Sequence, residues 1–402
     1  MTGPLAGIRV VELAQIMAGP TCGMLLADMG ADVIKVEKLP GGDDTRAYSR
    51  PSVNGESAAF MMLNRNKRGI AVDLKKPEGL EVVKRLLAGA DVVTENYRKG
   101  TLEKLGLAWD ALHALNPRLV YCAISGYGRT GPYADKGGFD LIAQGFAGLM
   151  SITGEPGGAP VKSGTPIADI NAGIFAALGI VSALHARSAT GLGQMVDTSL
   201  MEAAIQQTYW QSAIYLATGE NPGPSGSAHI LTAPYQAFPT ADGWINVGGA
   251  NQSNWERIAK AIGREDLVAD PRFRTNADRM KHLAELTPLV AERMKTRPSA
   301  DWIREFEAMG IPVGPINRIG DMLADPQVAA RDMVVDLVHP VAGPTKALGM
   351  PVKFSDTPCA VTRASPLLGQ HTDEILSSLG YSAGEIDALC ACGAVARAGG
   401  GE

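Results

Sequence analysis

In the first half of the chain, short runs of consecutive apolar residues alternate with longer segments in which apolar residues recur at helical spacing. The runs GIRVVELA, ADVIKVE, GIAVDL, DVVTENY and RLVYCAIS predict strands. The segments CGMLLADMG, PEGLEVVKRLLAGA and TLEKLGLAWDALHALN predict helices, the first closed by Gly30 and the second opened by Pro77. Alternating strands and helices predict an α/β fold with a Rossmann-like, doubly wound and mostly parallel sheet.

Ligands of such sheets bind beyond the carboxyl ends of the strands, so the loops that follow the strands are the first places to look for a site. These loops follow Leu13, Glu37, Leu74, Glu95 and Ser125. The last loop begins GYGRTG, which spells G-x-G-x-x-G, but Pro132 and the Gly137-Gly138 pair stand where a dinucleotide fingerprint needs an uninterrupted helix. A glycine-rich turn that shapes a ligand loop is therefore favoured over nicotinamide binding.

The most apolar segment, VKSGTPIADINAGIFAALGIVSALHA, begins at Val161 and contains one acid, Asp169. Glycine and Pro166 precede this acid, so it emerges from a loop, and the charge-free stretch behind it predicts a helix buried on nearly all sides. No apolar run is expected to reach membrane-spanning length. A carboxylate at a helix start faces unpaired N–H groups, so Asp169 is either a helix N-cap or a nucleophile, and spacing alone favours the cap.

The second half predicts a smaller α/β domain. Residues 221–227, NPGPSGS, form the clearest linker, and Asp242-Gly243 predicts a hairpin between two strand-like runs. We therefore expect a large domain over 1–220, a small domain over 228–318 and a segment over 334–402 that returns to the large domain. The last residues, 394–402, are expected to be frayed.

Composition narrows the class of protein. The 402 residues are 46% hydrophobic with a net charge of −5 and no basic run, which argues against nucleic acid as a partner. The five cysteines are scattered and odd in number, which is typical of a reducing compartment, and Cys390 and Cys392 lack zinc-site spacing. The amino-terminal residues lack the pattern of a signal peptide, so we expect a cytoplasmic protein with no metal and no membrane partner.

The order of several motifs resembles the class III CoA-transferases (CaiB/BaiF type), which include formyl-CoA transferase, carnitine CoA-transferase and succinate-hydroxymethylglutarate CoA-transferase. The resemblance runs from about Leu5 to about Ile386. Its motifs are GIRVVELAQIMAGP, GADVIKVEK with GGDDTR, LNRNKRGIAVDLK, ENYRKG, SGYGRTGPYADKGGFD, GTPIADINAG, GQMVDTSL and PLLGQHT.

The resemblance implies that Asp169 attacks the thioester of an acyl-CoA and that CoA is held for part of the reaction as an aspartyl-CoA thioester. A carboxylate needs no general base to be nucleophilic at neutral pH, so placement in a dry pocket is what the protein must supply. The family also implies an interlocked homodimer, and coenzyme A as a substrate with no permanently bound cofactor.

The resemblance further assigns a CoA site, in which cations meet phosphates and apolar walls meet the adenine. Its residues are Met17, Ala18, Lys38, Val72, Asp73, Leu74, Lys75, Asn96, Tyr97, Arg98, Lys104, Gly137, Gly138, Phe139 and Asp140. Gln15, Gly248 and Gly249 are assigned to the acid substrate. Taken singly, Lys38, Lys75 and Lys104 read as solvated surface charges, and Asp140 as the start of a helix.

Departures from the family narrow the substrate. Val247-Gly248-Gly249-Ala250-Asn251 replaces the four consecutive glycines of formyl-CoA transferase, which disfavours oxalate. Phenylalanine at 139 replaces the histidine of family racemases, which disfavours α-proton abstraction. We therefore expect a succinyl-type CoA donor and a dicarboxylic acid acceptor, whose distal carboxylate would pair with His229 or Arg46. A family racemase or isomerase and a non-catalytic CoA-binding protein remain the alternatives.

Overall fold

The computed structural model describes residues 3–399, and these divide into two compact units. The large unit contains residues 3–149, 162–217 and 326–399, and the small unit contains residues 150–161 and 218–325. Residues 150–161 fall inside the range expected for the large domain but cluster with the small unit. The carboxyl-terminal segment belongs to the large unit.

The large unit is built on a seven-stranded sheet in the order β14-β5-β2-β1-β6-β7-β8, in which every strand pair is parallel except β14 with β5. The predicted mostly parallel sheet is therefore confirmed. Its strands are β1 (Arg9–Leu13), β2 (Asp32–Lys38), β5 (Arg68–Val72), β6 (Val92–Glu95), β7 (Val120–Ser125), β8 (Met195–Ser199) and β14 (Val395–Ala396). Two separate hairpins pair β3 (Ser52–Val53) with β4 (Glu56–Ser57) and β12 (Val334–His339) with β13 (Gly343–Leu348).

Helices cover both faces of this sheet, because alternate residues of its strands are apolar on both sides. On one face, Val10 and Val33 pack with helices α1 and α8, and on the other Val11 and Ile34 pack with α3, α5, α18 and α19. The helices of the large unit are α1 (Ala18–Asp28), α2 (Ala58–Leu63), α3 (Pro77–Ala88), α4 (Thr101–Lys104), α5 (Trp109–Leu115), α6 (Asp140–Phe146), α8 (Ile167–Thr190), α9 (Leu200–Ile205), α10 (Tyr209–Thr218, whose last residue falls in the small unit), α17 (Pro326–Ala330), α18 (Thr372–Ser378) and α19 (Ala383–Ala391).

One predicted helix and the predicted fraying of the carboxyl terminus are wrong. The segment TLEKLGLAWDALHALN forms two helices, α4 and α5, because Gly106 between them adopts φ 68°, a left-handed conformation that ends a helix. Residues 394–399 are not frayed, since Val395 pairs with Val72 and Ala396 with Ala71. Residues 400–402 lie outside the described part of the chain.

Helix α8 differs from its prediction in burial. One side packs into the core through residues such as Ala172, Ala176 and Ile180, while Ile174, Leu178 and Val181 are exposed. We call these three residues, which recur at helical spacing, the apolar stripe of α8. At 24 residues the helix is also long and apolar enough to cross a membrane, contrary to expectation, although core helices of globular proteins pass the same test.

The small unit contains a three-stranded antiparallel sheet in the order β11-β10-β9. The hairpin predicted at Asp242-Gly243 is confirmed, because β9 (Tyr235–Pro239) and β10 (Trp244–Gly248) pair on either side of it. Strand β11 (Val313–Pro315) completes the sheet. The remaining helices are α7 (Leu149–Ile152), α11 (Gln252–Ala261), α12 (Asp266–Ala269), α13 (Asn276–Lys281), α14 (Leu283–Met294), α15 (Ser299–Ala308) and α16 (Ile319–Leu323).

Candidate active site

A cavity of about 380 Å³ opens in the large unit at the carboxyl ends of β1, β6 and β7. This is the sheet edge at which parallel α/β folds bind ligands. Its lining residues are Gln15, Ile16, Met17, Ala18, Asp44, Asn96, Tyr97, Arg98, Lys99, Thr101, Ile124, Ser125, Gly126, Ala134, Lys136, Gly137, Gly138, Phe139, Asp169 and Leu200. The loops after β1, β6 and β7 therefore contribute to the site, as the sequence predicts.

Another cavity, of about 480 Å³, lies at the amino ends of the strands. Two of its three arginines already have carboxylate partners: Arg68 lies 2.6 Å from Asp32 and 2.8 Å from Glu374, and Arg9 lies 3.5 Å from Asp32, while Arg363 also lines the cavity. The cavity at the carboxyl edge is the better candidate for the active site because ligands of parallel α/β sheets bind at that edge.

The structure brings most of the predicted site residues together around one cavity. Those that line it are Gln15, Met17, Ala18, Asn96, Tyr97, Arg98, Gly137, Gly138, Phe139 and Asp169. Asp140 follows Phe139 and begins α6. Lys38 does not line the cavity but contacts two residues that do, since its Nζ lies 3.3 Å from Gln15 Oε1 and pairs with Asp44.

Other predicted residues lie apart from this lining. Val72 is fully buried at the end of β5, where its side chain packs in the core, and Asp73 accepts the backbone N–H of Lys75 at 3.0 Å. The remaining residues of this group, Leu74, Lys75 and Lys104, also lie outside the lining. Gly248 and Gly249 belong to the small unit.

Two lysines complete the positive charge of the cavity and are not singled out by the sequence. Lys99 follows Arg98 after β6, and Lys136 precedes Gly137 with its Nζ 3.7 Å from the ring centroid of Tyr133. Both stand inside motifs of the family resemblance, ENYRKG and SGYGRTGPYADKGGFD. With Arg98 they give the cavity three cations, which suits a ligand with several phosphates.

Asp169 is the third residue of α8 and does not cap it. Pro166 occupies the cap position, and the backbone N–H of Ala168 donates instead to Asp140 Oδ1 at 2.9 Å. Gln144 fixes Asp140 by donating to its other oxygen at 2.7 Å. Within residues 3–399 nothing hydrogen-bonds the Asp169 carboxylate. The helix-cap interpretation of Asp169 is therefore wrong, because Asp140 provides the carboxylate that the helix start requires.

The surroundings of Asp169 favour its neutral form. Burial raises its pKa, the negative charge of Asp140 raises it further, and together they bring it to about 7. A carboxylate without hydrogen-bond partners and with a pKa near neutrality is poorly solvated. Such a group is more nucleophilic than a solvated one and still has a substantial ionised fraction at pH 7.

Close backbone packing shapes the part of the cavity wall that Gly126 and Gly138 form. A side-chain carbon on Gly138 would lie 2.4 Å from the Cα of Gly126, and one on Gly126 would lie 2.7 Å from the Cα of Gly138. These two glycines thus allow the two ends of the loop between β7 and α6 to touch beside the cavity. This contact accounts for part of the G-x-G-x-x-G pattern without a dinucleotide.

The two residues suggested for the distal carboxylate have other partners. Arg46 donates twice to Glu37, at 2.6 and 2.7 Å, and once to the carbonyl of Pro366, so its guanidinium is occupied. His229 belongs to the small unit, where its ring stacks on Tyr235 with centroids 5.1 Å apart. Arg46 is therefore a poor candidate for that role.

Sequence and structure comparisons place this arrangement in a known family. The profile of CoA-transferase family III matches residues 5–372. The chain is 43% identical over 382 residues to the succinate–glutarate CoA-transferase of Agrobacterium fabrum, covering 94% of this chain and 96% of that protein. It is 38% identical over 393 residues to the succinyl-CoA:glutarate CoA-transferase of Mus musculus, covering 98% of this chain and 90% of that protein.

Among solved structures, the fold is similar to that of a CaiB/BaiF family protein from Brucella suis. The TM-score is 0.85 with 42% sequence identity, covering 94% of this chain and all of that one. The chain therefore belongs to CoA-transferase family III, and it is an enzyme that transfers CoA between carboxylic acids.

Proposed function

We propose that this enzyme transfers CoA from succinyl-CoA to a dicarboxylic acid of about the size of glutarate, with Asp169 as the nucleophile. The observation that carries the proposal is the Asp169 carboxylate, half-buried and without hydrogen-bond partners, in a cavity that Arg98, Lys99 and Lys136 also line. The similar proteins from Agrobacterium fabrum and Mus musculus are named for succinate or succinyl-CoA and glutarate, which supports the choice of acids.

The first half-reaction loads CoA onto the enzyme. An Asp169 oxygen attacks the thioester carbonyl of succinyl-CoA, the carbon–sulfur bond breaks, and CoA leaves as a thiolate while a mixed succinyl-aspartyl anhydride forms. The thiolate then attacks the aspartyl carbonyl of that anhydride. Succinate leaves as a carboxylate, and CoA is now bound to Asp169 as a thioester.

The second half-reaction is the same sequence in reverse. The acceptor carboxylate attacks the aspartyl-CoA carbonyl and expels CoA thiolate, which forms a new anhydride. The thiolate attacks the acceptor acyl carbon of the anhydride, which releases the new acyl-CoA and regenerates the Asp169 carboxylate. Every step exchanges one nucleophile for another, so no net proton, electron or metal is required.

The cations of the cavity would bind the CoA phosphates, because guanidinium and ammonium groups form charge-assisted hydrogen bonds to phosphate oxygens. Because the bound phosphates anchor one end of CoA, its thiolate stays near Asp169 while one acid leaves and the other binds. The sequence-predicted contacts at Lys38, 72–75 and Lys104 remain part of this proposal, as do Gly248 and Gly249 for the acid and a cytoplasmic location.

We also propose that the working enzyme is a homodimer, interlocked as the family resemblance implies. The apolar stripe of α8 is exposed, and Tyr209 and Leu216 on α10 are exposed by 69% and 83%. Large exposed apolar side chains on two helices are typical of surfaces that another protein covers, and a second copy of this chain is the partner proposed.

The test is a mass-spectrometric screen of wild type and Asp169→Asn with succinyl-CoA and a panel of acids. Glutarate and pentanoate form a matched pair, since they differ only in the distal carboxylate. We expect glutaryl-CoA from wild type, little pentanoyl-CoA, and no product from the variant. In the absence of acceptor, wild type should release succinate and gain the mass of covalent CoA on the peptide that contains Asp169.

Two results would count against the proposal. Equal product from wild type and Asp169→Asn would exclude Asp169 as the nucleophile. Absence of acyl-CoA product with every acid, together with exchange of the α-proton of an acyl-CoA in heavy water, would favour an isomerase instead.

A further inference from the structure

The loop between β1 and α1 contains an unusual backbone conformation beside the cavity. Ile16 adopts φ 69°, in the left-handed region that a β-branched side chain disfavours. The other non-glycine residues with positive φ among residues 3–399 are Asn54, Asn66 and Asp332, whose side chains tolerate this region. Ile16 lines the cavity, and its neighbours Gln15 and Met17 do so as well.

Side chains from two other segments hold this conformation. Asp43 accepts the backbone N–H of Ile16 through both oxygens, at 3.1 and 3.2 Å. Asn96 brackets Gln15, accepting its N–H at 2.9 Å and donating to its carbonyl at 2.7 Å. A strained residue persists only where its surroundings determine its position, and these contacts supply that determination.

A buried group of charges lies beneath the loop. Lys35 is fully buried, with its Nζ 2.8 Å from Asp43 and 3.0 Å from both Glu12 and the carbonyl of Ala14. Lys67 is fully buried too, with its Nζ 2.9 Å from Glu12 and from the carbonyl of Pro20. The two lysines therefore hold both ends of the segment 14–20, and their charges are balanced by Glu12 and Asp43.

Two of the buried groups, Asp43 and Lys67, are mostly charged at pH 7. Although burial opposes it, the positive charge of Lys35 lowers the pKa of Asp43 to about 2. Burial, with some repulsion from Lys35, lowers the pKa of Lys67 to about 8, which still leaves it mostly charged at pH 7. Asp43 is thus a fixed carboxylate, aimed at the N–H of Ile16.

We propose that Asp43, seated on Lys35, is a positioning residue for transfer: it holds Ile16 in its left-handed conformation and so presents Gln15 and Met17 to the reacting thioester. This inference rests on the proposed function for its kinetic readout. It assigns to the buried charges a role in placing the substrate carbonyl against Asp169, whereas binding of the CoA phosphates is left to other residues.

Asp43→Asn tests this role because it changes charge with little change in shape. Asp43 also caps the short helix 44–47 through Thr45, and asparagine is an equally good cap. If the amide oxygen of asparagine keeps this cap, however, its NH₂ group points toward the Lys35 ammonium. Two hydrogen-bond donors then face each other. The contact to Ile16 should therefore weaken while the cap survives.

We expect Asp43→Asn to lower kcat by about tenfold to a hundredfold, because small displacements of a reacting group have effects of that size. The KM for succinyl-CoA should change less than threefold. Adding Ile16→Gly should restore kcat to within about threefold of wild type, since glycine adopts positive φ without strain. Adding Ile16→Ala, which removes nearly the same side chain but keeps the strain, should restore nothing.

Asp91→Asn is the matched control at the opposite edge of the sheet. Asp91 also accepts a backbone N–H, that of Arg9 at 2.9 Å, and pairs with Arg187 at 2.9 Å. Its variant should keep kcat within twofold of wild type. The proposal is overturned if Asp43→Asn keeps wild-type kcat, if Asp91→Asn loses as much, or if the glycine and alanine double variants are equally active.

Hydrogen exchange of the peptide spanning residues 13–21 gives a readout that does not depend on activity. Exchange should accelerate at least tenfold in Asp43→Asn and slow again when Ile16→Gly is added. If wild type transfers no CoA, the proposed function fails while this result still decides the role of Asp43. If Asp43→Asn does not fold, equal melting temperatures and exchange in single Ile16→Gly and Ile16→Ala variants would overturn the inference.

Discussion

Asp169 and Asp140 divide between them two roles that a carboxylate can have at the start of a helix. Asp140 satisfies the backbone of α8 through Ala168, and Asp169 is left without a hydrogen bond in the cavity. A helix start can be stabilised from outside its own segment, so the nearest acid in sequence need not be the cap. The carboxylate spared from capping is the one available for chemistry.

The raised pKa of Asp169 predicts the pH dependence of the reaction. Only the ionised carboxylate attacks, so kcat/KM for succinyl-CoA should rise with pH through a midpoint near 7 and level off above about pH 8. Asp140→Asn keeps an oxygen for Ala168 but removes the repelling charge, so the midpoint should fall by about half a unit. Initial rates between pH 5 and 9 measure both curves.

The matched control for that prediction is Asp135→Asn, an equal change of charge at an exposed position in the same segment. Its midpoint should stay with that of wild type. A midpoint near pH 4 in wild type, or equal shifts in the two variants, would contradict the assigned cause.

The same pKa shift predicts that Asp169 destabilises the folded enzyme. Its pKa is about 7 in the folded enzyme, against 3.8 for an ordinary aspartate, so the folded state disfavours ionisation. The cost is absent below about pH 4, grows as pH rises toward 7, and is constant above that. Asp169→Asn should therefore be more stable than wild type by as much as about 4 kcal/mol at pH 8, because a rise of about 3 pKa units is worth about 1.4 kcal/mol per unit.

Urea unfolding of both proteins at pH 5, 6, 7 and 8 checks this prediction. The stability difference should widen with pH and level off above 7. An Asp169→Asn variant less stable than wild type at pH 8 would show that the carboxylate is stabilising instead.

The sequence alone identifies Asp169 as a candidate nucleophile and Arg98 as a cation within a motif. It does not show which side chains surround the residues of the site. Asp169 stands out as the lone charge in an apolar segment, and Arg98 stands in ENYRKG. Ile16 carries no comparable signal, because a left-handed isoleucine depends on Asp43 and Lys35, which only the folded sheet brings beneath it. Burial of Lys35 and Lys67 is likewise a consequence of tertiary packing.

At the scale of the elements, the contact between Gly126 and Gly138 beside the cavity is sensitive to substitution. Gly138→Ala would place a carbon 2.4 Å from the Cα of Gly126, so the loop between β7 and α6 would have to move. We expect the KM for succinyl-CoA to rise about tenfold and stability to fall by about 1–3 kcal/mol. Steady-state kinetics and thermal unfolding measure the two effects.

Gly384→Ala in α19 is the control, since a carbon there meets nothing within 4 Å. It should leave KM unchanged and stability equal or slightly higher. An unchanged KM in Gly138→Ala would mean that the contact between Gly126 and Gly138 does not shape the ligand site.

Strands were predictable because strands covered on both faces read as continuous apolar runs, and each run in the first half became a strand of the parallel sheet. The exposed stripe of α8 was not predictable by the same reasoning. Its residues are as apolar as those facing the core, so periodicity gives no contrast between the two sides. The division of α4 from α5 depends on the backbone of one glycine, Gly106, which composition alone does not reveal.

For the whole molecule, the apolar stripe of α8 provides a test of self-association. Leu178 is exposed by 59%, and Leu178→Arg would place a charge in the proposed interface. We expect the variant to shift from dimer toward monomer and to lose most activity, because a buried unpaired charge is costly. Light scattering coupled to size-exclusion chromatography measures the mass.

Leu115→Arg is the control, because Leu115 is a comparably exposed leucine at the end of α5, on the other face of the sheet. That variant should keep the wild-type mass. A wild-type monomer at micromolar concentration, or a Leu178→Arg dimer, would contradict the proposed interface.

The family was predictable at this scale because it depends on the order and spacing of many motifs, which local reasoning about single residues does not use. The division of the chain was harder, since residues 150–161 cluster with a unit whose other residues begin at 218. The excursion contains a Gly- and Pro-rich run, TGEPGGAP, but its composition does not indicate which unit the run joins. The return of the last segment to the large sheet follows from residues 395–396, which are too few to show a period.

The position of β14 near the end of the chain affects how the sheet forms during synthesis. Strand β5 lies between β2 and β14, and β14 is translated long after the rest of the sheet has left the ribosome. For most of synthesis β5 is therefore an open edge, the kind of surface on which nascent chains pair with one another. We therefore expect the unfinished sheet to be open to such pairing until its last strand arrives.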